Sequence, residues 1–158
     1  MMKKRSLSKF GFGLIAGIFL LQASVCPPGM AQERDTVKIY VMISLAVPGG
    51  EKVDPRLGEI HQELKNTFRE SSYELLDEVR FDLTLQEQDG KPLPGDAHLY
   101  IQYMGMDGGK VNLNLKITQK GSEVLNTNFS ISKGGTIIVG GPPYKDGNLV
   151  LAVKTAMN

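Results

Sequence analysis

Residues 111–131 read VNLNLKITQKGSEVLNTNFSI. Val111, Leu113, Leu115 and Ile117 alternate with Asn112, Asn114 and Lys116. After Lys120-Gly121 the alternation resumes, with Leu125, Thr127, Phe129 and Ile131 set against Asn126, Asn128 and Ser130. A period of two sends successive side chains to opposite faces of a strand. Two such runs joined by a short glycine-bearing turn predict an antiparallel hairpin. One face is apolar and the other carries amides, so a sheet built from this hairpin turns one face to a core and the other to water.

The same pattern recurs on both sides. Upstream, Val37, Ile39, Val41, Ile43 and Leu45 alternate with Lys38, Tyr40, Met42 and Ser44 and stop at Val47-Pro48-Gly49-Gly50. Tyr73 to Leu76 reads as a short strand after Ser71-Ser72, and Val79, Phe81, Leu83 and Leu85 form another, ending at a predicted turn, Asp89-Gly90. Leu99, Ile101 and Tyr103 precede the turn Asp107-Gly108-Gly109. Downstream, Lys133-Gly134-Gly135 leads into Thr136 to Val139, and Leu149, Leu151 and Val153 close the chain.

One helix interrupts the strands. Asp54 suits its cap and Pro55 its first position, and Leu57, Ile60, Leu64 and Phe68 recur at helical spacing. The spacing predicts an amphipathic helix over Pro55 to Arg69. The expected fold class is therefore α+β, with one helix packed on a mainly antiparallel sheet of about six to seven strands. A single helix covers only part of one face. The sheet then either curls into a sandwich or partial barrel, or leaves a face for a partner.

The N-terminus has another character. Lys3, Lys4, Arg5 and Lys9 precede an apolar run from Phe10 to Leu21, and no acidic residue occurs before Glu33. A cationic start followed by about 12 apolar residues reads as a signal peptide, short of the ~20 that span a bilayer. Gly29-Met30-Ala31 places small residues where signal peptidase cuts, after Pro27-Pro28. A second reading makes Ala23-Ser24-Val25-Cys26 a lipobox with Cys26 lipidated, although Val25 and Ala23 depart from its usual residues. The domains expected are a signal peptide at 1–31, a polar leader at 32–36 and a single α+β domain at 37–158. The location expected is periplasmic or secreted, with lipid anchoring in the envelope as the alternative.

Without the four N-terminal cations, 14 Lys and Arg face 17 Asp and Glu, and the charges are interspersed. Nucleic acid is therefore not an expected partner, because phosphate binding needs a concentrated basic face. Cys26 is the only cysteine, so disulfides do not hold the domain. Catalytic patterns are missing too: no Gly-x-Ser-x-Gly elbow, no phosphate loop and no His pair at i, i+4 spacing. His61 reads as a solvated or boundary helix residue and His98 as an outward strand residue. Asp77-Glu78 and Glu87 with Asp89 read as solvated carboxylates at turn and strand ends. No catalytic residue, metal site or cofactor is expected. The segment that exceeds ordinary turn needs is Gly140 to Gly147, expected as a proline-set loop that offers Tyr144, Lys145 and Asp146 to a partner. The alternative is that Tyr144 folds back to seal the sheet.

Val53-Asp54-Pro55-Arg56-Leu57, Ser71 to Leu76, Gly134-Gly135-Thr136 through Val139-Gly140-Gly141-Pro142, and Asp146-Gly147-Asn148-Leu149 together resemble a group of small exported bacterial proteins of unknown function. The likeness covers the domain and implies export, with no activity and no site residues attached. Residues 134–141 alone are similar to a strand–Gly-Gly hairpin in the membrane-embedded part of bacterial secretins, which implies envelope association. The function expected is a non-catalytic protein-binding module that meets an envelope or secretion-system protein. A binder of a small apolar molecule, glycan or lipid is the alternative, and a secreted hydrolase built from scattered carboxylates comes third. Membrane contact is expected only through the signal peptide or a lipid at Cys26.

Overall fold

A computed structural model describes residues 36–69 and 72–156. The expected signal peptide, its expected cleavage site after Ala31, Cys26 and the expected leader up to residue 35 lie outside the described residues. Among the described residues, no helix is long and apolar enough to cross a membrane.

The fold is α+β and its sheets are antiparallel. Strands β1 (Thr36–Val47), β2 (Ser72–Thr84), β3 (Gln88–Leu93), β4 (Ala97–Asp107), β5 (Lys110–Gln119), β6 (Ser122–Ser132), β7 (Thr136–Tyr144) and β8 (Gly147–Thr155) follow one another, with helix α1 (His61–Thr67) between β1 and β2. The strands number eight rather than six or seven. They form two four-stranded sheets, ordered β2-β1-β8-β7 and β3-β4-β5-β6. Each strand pairs with its neighbour in sequence, and β8 returns to β1. This up-and-down circuit is open at β2/β3 and β6/β7, where the chain steps from one sheet to the other, so no closed barrel forms.

The alternating apolar positions meet between the sheets. Ile39, Val41 and Ile43 from β1, Phe81 and Leu83 from β2, and Leu149, Leu151 and Val153 from β8 share one buried cluster with Leu99, Ile101, Leu113, Leu115 and Ile117 of the second sheet. A second, smaller cluster lies on the outer face of the first sheet. There Leu57, Ile60 and Leu64 cover Ala46, Tyr73, Leu75, Val150 and Ala152.

Four expectations need correction. The helix is not continuous from Pro55 to Arg69. A 3-10 turn occupies Pro55–Leu57, a turn follows at 58–60, and α1 proper has only seven residues. Backbone bonds from Leu57 to Asp54, Gly58 to Pro55 and Ile60 to Leu57 span three residues, and the four-residue spacing starts with Leu64 to Ile60. The apolar stripe still lands on the sheet, because Leu57, Ile60 and Leu64 are all buried. The two strands expected at Tyr73–Leu76 and Val79–Leu85 are one. Ile43 pairs with Asp77 and Ser44 with Leu75, so Leu76 is the extra residue of a bulge. That residue reverses the alternation: Tyr73 and Leu75 face the helix, whereas Val79, Phe81 and Leu83 face the inter-sheet core. Asp77-Glu78 is accordingly mid-strand.

Asp89-Gly90 is no turn but part of β3, which the sequence did not betray. Gly90 is there because the Tyr100 ring lies across it, only 2.7 Å from where a Cβ would sit. Pro92 is tolerated because β3 is an edge strand, where a missing N–H breaks no second ladder. Finally, the loop expected at Gly140–Gly147 is mostly strand. β7 runs on to Tyr144 with a register break between Gly140 and Pro143, leaving Lys145-Asp146 as the turn.

Asp54 caps the 3-10 turn as expected, accepting from the Arg56 N–H at 3.0 Å. Its carboxylate also takes two bonds from the Arg56 guanidinium, at 3.1 and 2.7 Å. These side-chain hydrogen bonds, more than the backbone one, bring the Asp54 pKa from its ordinary 3.8 down to about 2. A carboxyl whose pKa is depressed in the folded state binds fewer protons there, so it stabilises fully above about pH 4 and loses that contribution as pH falls towards 2. The stability difference between wild type and Asp54→Asn, measured by urea titration, is expected to shrink across that window. A gap unchanged between pH 6 and pH 2 would contradict the pairing.

Candidate binding groove

Helix α1 and the turn before it cover only part of the outer face of the first sheet, and a step forms where the cover ends. The step is a groove of about 650 Å³ that crosses the strands. Its floor follows from the ladder register. Lys154, Tyr40 and Arg80 stand in one row across β8, β1 and β2, and Ala152, Met42 and Glu78 in the next. Thr136 of β7 extends the first row, and Glu59 and Ile60 form the wall beneath the helix. Such positions usually carry polar side chains. Tyr40 and Met42 are half-buried there and make the floor apolar.

The charges around this floor differ in how they are satisfied. Lys154 Nζ is 2.9 Å from Glu59 Oε2, tying the wall to β8. The Arg80 guanidinium carbon lies 4.6 Å from the centroid of the Tyr40 ring. That distance is within the range of a cation–π contact, which places the Arg80 charge beside the Tyr40 ring at the edge of the groove. Arg80 has no ion pair among the described residues, and neither does the Glu78 carboxylate two positions along β2. The groove therefore combines an apolar floor with one exposed cation and one exposed anion that form no close ion pair, although Glu78 also acts at longer range on Arg56.

The residues expected to meet a partner lie elsewhere. Tyr144 is half-buried and packs against the inter-sheet core, with its ring 2.9 Å from where a Cβ on Gly95 would stand. Gln119 Nε2 bridges the Gly95 and Pro143 carbonyls beside it, at 3.1 and 3.3 Å. Tyr144 thus seals that end of the domain. Lys145 and Asp146 are exposed at the hairpin turn, and the Lys145 ammonium sits 5.3 Å from the Tyr144 ring. This turn precedes the start of β8, whereas Lys154 and the groove lie near its end.

His61 begins α1, with its Nε2 buried and unpaired, while His98 is exposed on the outer face of the second sheet and stacks on Tyr100 at 6.4 Å between centroids. The core separates them. Among the described residues, no three potential metal-ligating side chains come together. Glu87 accepts from the Thr84 N–H and hydroxyl at 2.8 and 2.7 Å. Asp89 pairs with Lys91 at 2.9 Å, and that hydrogen-bonded ammonium lowers its pKa. Both carboxylates have local structural work. The second sheet's outer face is an amide surface, where Asn114 Nδ2 donates to Asn126 and Asn128 at 2.9 and 2.7 Å.

Sequence reasoning missed the groove, although one signal was present. The second face of β1 carries Tyr40 and Met42 where a solvated face would carry charged residues. The described residues thus define a two-sheet domain with a helix-bounded groove on one face. Comparison with known protein families, with curated proteins and with solved structures gave no match.

Proposed function

We propose that this chain is a non-catalytic binding domain, exported to the cell envelope or beyond, which takes a segment of an envelope or secretion-system protein in the groove beside α1. The observation that carries this reading is the floor of Tyr40, Met42 and Ala152 bordered by Arg80 and Glu78. Exposed charges of both signs beside apolar surface suit a peptide with mixed side chains better than a simple anion or a neutral hydrocarbon. The N-terminal sequence and the resemblance to small exported bacterial proteins support the location. The Lys145-Asp146 turn is a second, separable contact.

A photo-crosslinking residue at Thr136, in the groove, is expected to trap a partner that the same residue at Lys116, on the other sheet, does not. Exchanging the exposed charges (Arg80→Glu with Glu78→Lys) is expected to lower that yield about tenfold, equivalent to ~1.4 kcal/mol. Lys145→Ala with Asp146→Ala is expected to retain most of it. Yields from Thr136 that ignore the charge exchange would refute the groove as the docking site. A small apolar molecule, glycan or lipid is the second reading. It is favoured by the groove volume, which falls within the ~300–1,000 Å³ usual for ligand pockets. A retained mass on the purified protein in native mass spectrometry would favour it instead.

A further inference from the structure

Two antiparallel sheets present four edges, and three of these are blunted. The start of β2 is covered by residues 52–56: Tyr73 N–H donates to the Lys52 carbonyl, Asp54 N–H to the Tyr73 carbonyl, and Arg56 to the Leu75 carbonyl at 3.3 Å. The rest of β2 carries Asp77, Glu78, Arg80 and Asp82. β3 is six residues long and contains Gly90 and Pro92. β7 holds Gly140, Gly141, Pro142 and Pro143 across a register break. Charge, proline, bulges and short length are the devices that keep an edge from pairing.

β6 has none of them over Leu125–Ser132, which contains no proline, glycine or charged residue. Its one register irregularity leaves Val124 without a partner, before this run starts. Outside the β5 backbone ladder, the Ser132 carbonyl accepts from the Gly135 N–H and the Thr155 hydroxyl, and the Thr127 carbonyl accepts from the Asn114 side chain of neighbouring β5 at 3.5 Å; among the described residues no other strand pairs with this edge. Leu125 and Phe129 pack on the core yet stay partly exposed, because no strand lies beyond them.

We infer that a second copy of this chain pairs here, β6 against β6, antiparallel about a two-fold axis at Asn128, to make one continuous eight-stranded sheet. The strand's own chemistry selects both the occupant and the register. A two-fold at Asn128 sets Leu125 of one copy against Ile131 of the other and Thr127 against Phe129 on the core side, completing the cover of the half-buried side chains. On the outer face it sets Asn126 against Ser130 and Asn128 against Asn128, extending the amide ladder. No like charges oppose each other. Glu123 at one end of the strand and Lys133 just beyond the other are brought together twice, as shifted registers do not do.

Cysteine cross-linking tests the register in the full chain carrying Cys26→Ser. Residues opposite on the axis have Cα atoms about 4.5–5.5 Å apart, within disulfide reach. Asn128→Cys is therefore expected to form a covalent dimer under mild oxidation. Asn126→Cys, on the same face but four residues from its own symmetry mate, is expected not to. Asn128→Lys places two ammonium groups across the axis and should weaken the dimer at least about tenfold in sedimentation experiments, with an unchanged circular dichroism spectrum. A wild-type chain that stays monomeric at its solubility limit overturns the inference. So does equal cross-linking from Asn126→Cys, or a folded Asn128→Lys variant that dimerises as wild type does.

Discussion

Leu64→Ala is expected to cost about 2–5 kcal/mol of stability and to remove the wall of the groove with it. Leu64 is fully buried and sits among Leu57, Ile60, Tyr73, Leu75 and Val150. Its carbonyl also accepts from the Tyr73 hydroxyl at 3.3 Å, so backbone and side chain both bind the helix to the sheet. A seven-residue helix is too short to persist without such packing. Truncation leaves a cavity in the small outer cluster rather than in the large inter-sheet core. Amide exchange should therefore accelerate first in residues 61–67, while β5 keeps its protection until the whole domain unfolds. In urea the midpoint should fall by about 1 M or more, given slopes of ~1–3 kcal/mol/M. A loss under about 1 kcal/mol would mean that α1 is not seated as described.

Gly147→Ala is expected to be comparably damaging, through overpacking. A Cβ on Gly147 would collide with the carbonyl oxygen of Ala46 and stand 3.2 Å from Val47 Cγ2. The obstacle is the backbone of β1, a central strand paired on both sides, and not a side chain that could swing away. Relief requires parting β1 from β8 next to the Ala46–Asn148 pair. Overpacking of this kind costs about 1–3 kcal/mol or more. For a domain of this size, thermal unfolding should drop by roughly 4 °C per kcal/mol. An unchanged melting temperature would show that the β7–β8 turn can move away from β1.

The candidate site was only partly legible in the sequence. Tyr144 packs half-buried against the inter-sheet core, as the sealing reading of that residue expects. Lys145 and Asp146 stand exposed at the β7–β8 turn. The groove does not follow from periodicity, because it depends on where α1 begins. Ile60 and Glu59 border it only because the 3-10 turn and α1 divide a segment that periodicity reads as one helix. β3 was hidden for a related reason. Gln88-Asp89-Gly90-Lys91-Pro92 has no alternation, and it is held extended by pairing with β4.

By itself the sequence determined the local terms. Alternation set β1, β4, β5, β6 and β8 and the face each turns inward, Gly121 and its counterparts set hairpin turns, and Asp54 set the start of the helical segment. Those features depend on neighbours two to four residues apart, and the chain carries them wherever it lies. Tertiary structure decided the division into two sheets, the bulge at Leu76 that turns Tyr73 and Leu75 towards the helix, the length of α1, and the joining of Tyr40, Arg80 and Glu78 beside Ile60. Each of these needs strands distant in sequence to choose one another. A period of two states which side chains share a face, but not which surface that face will meet.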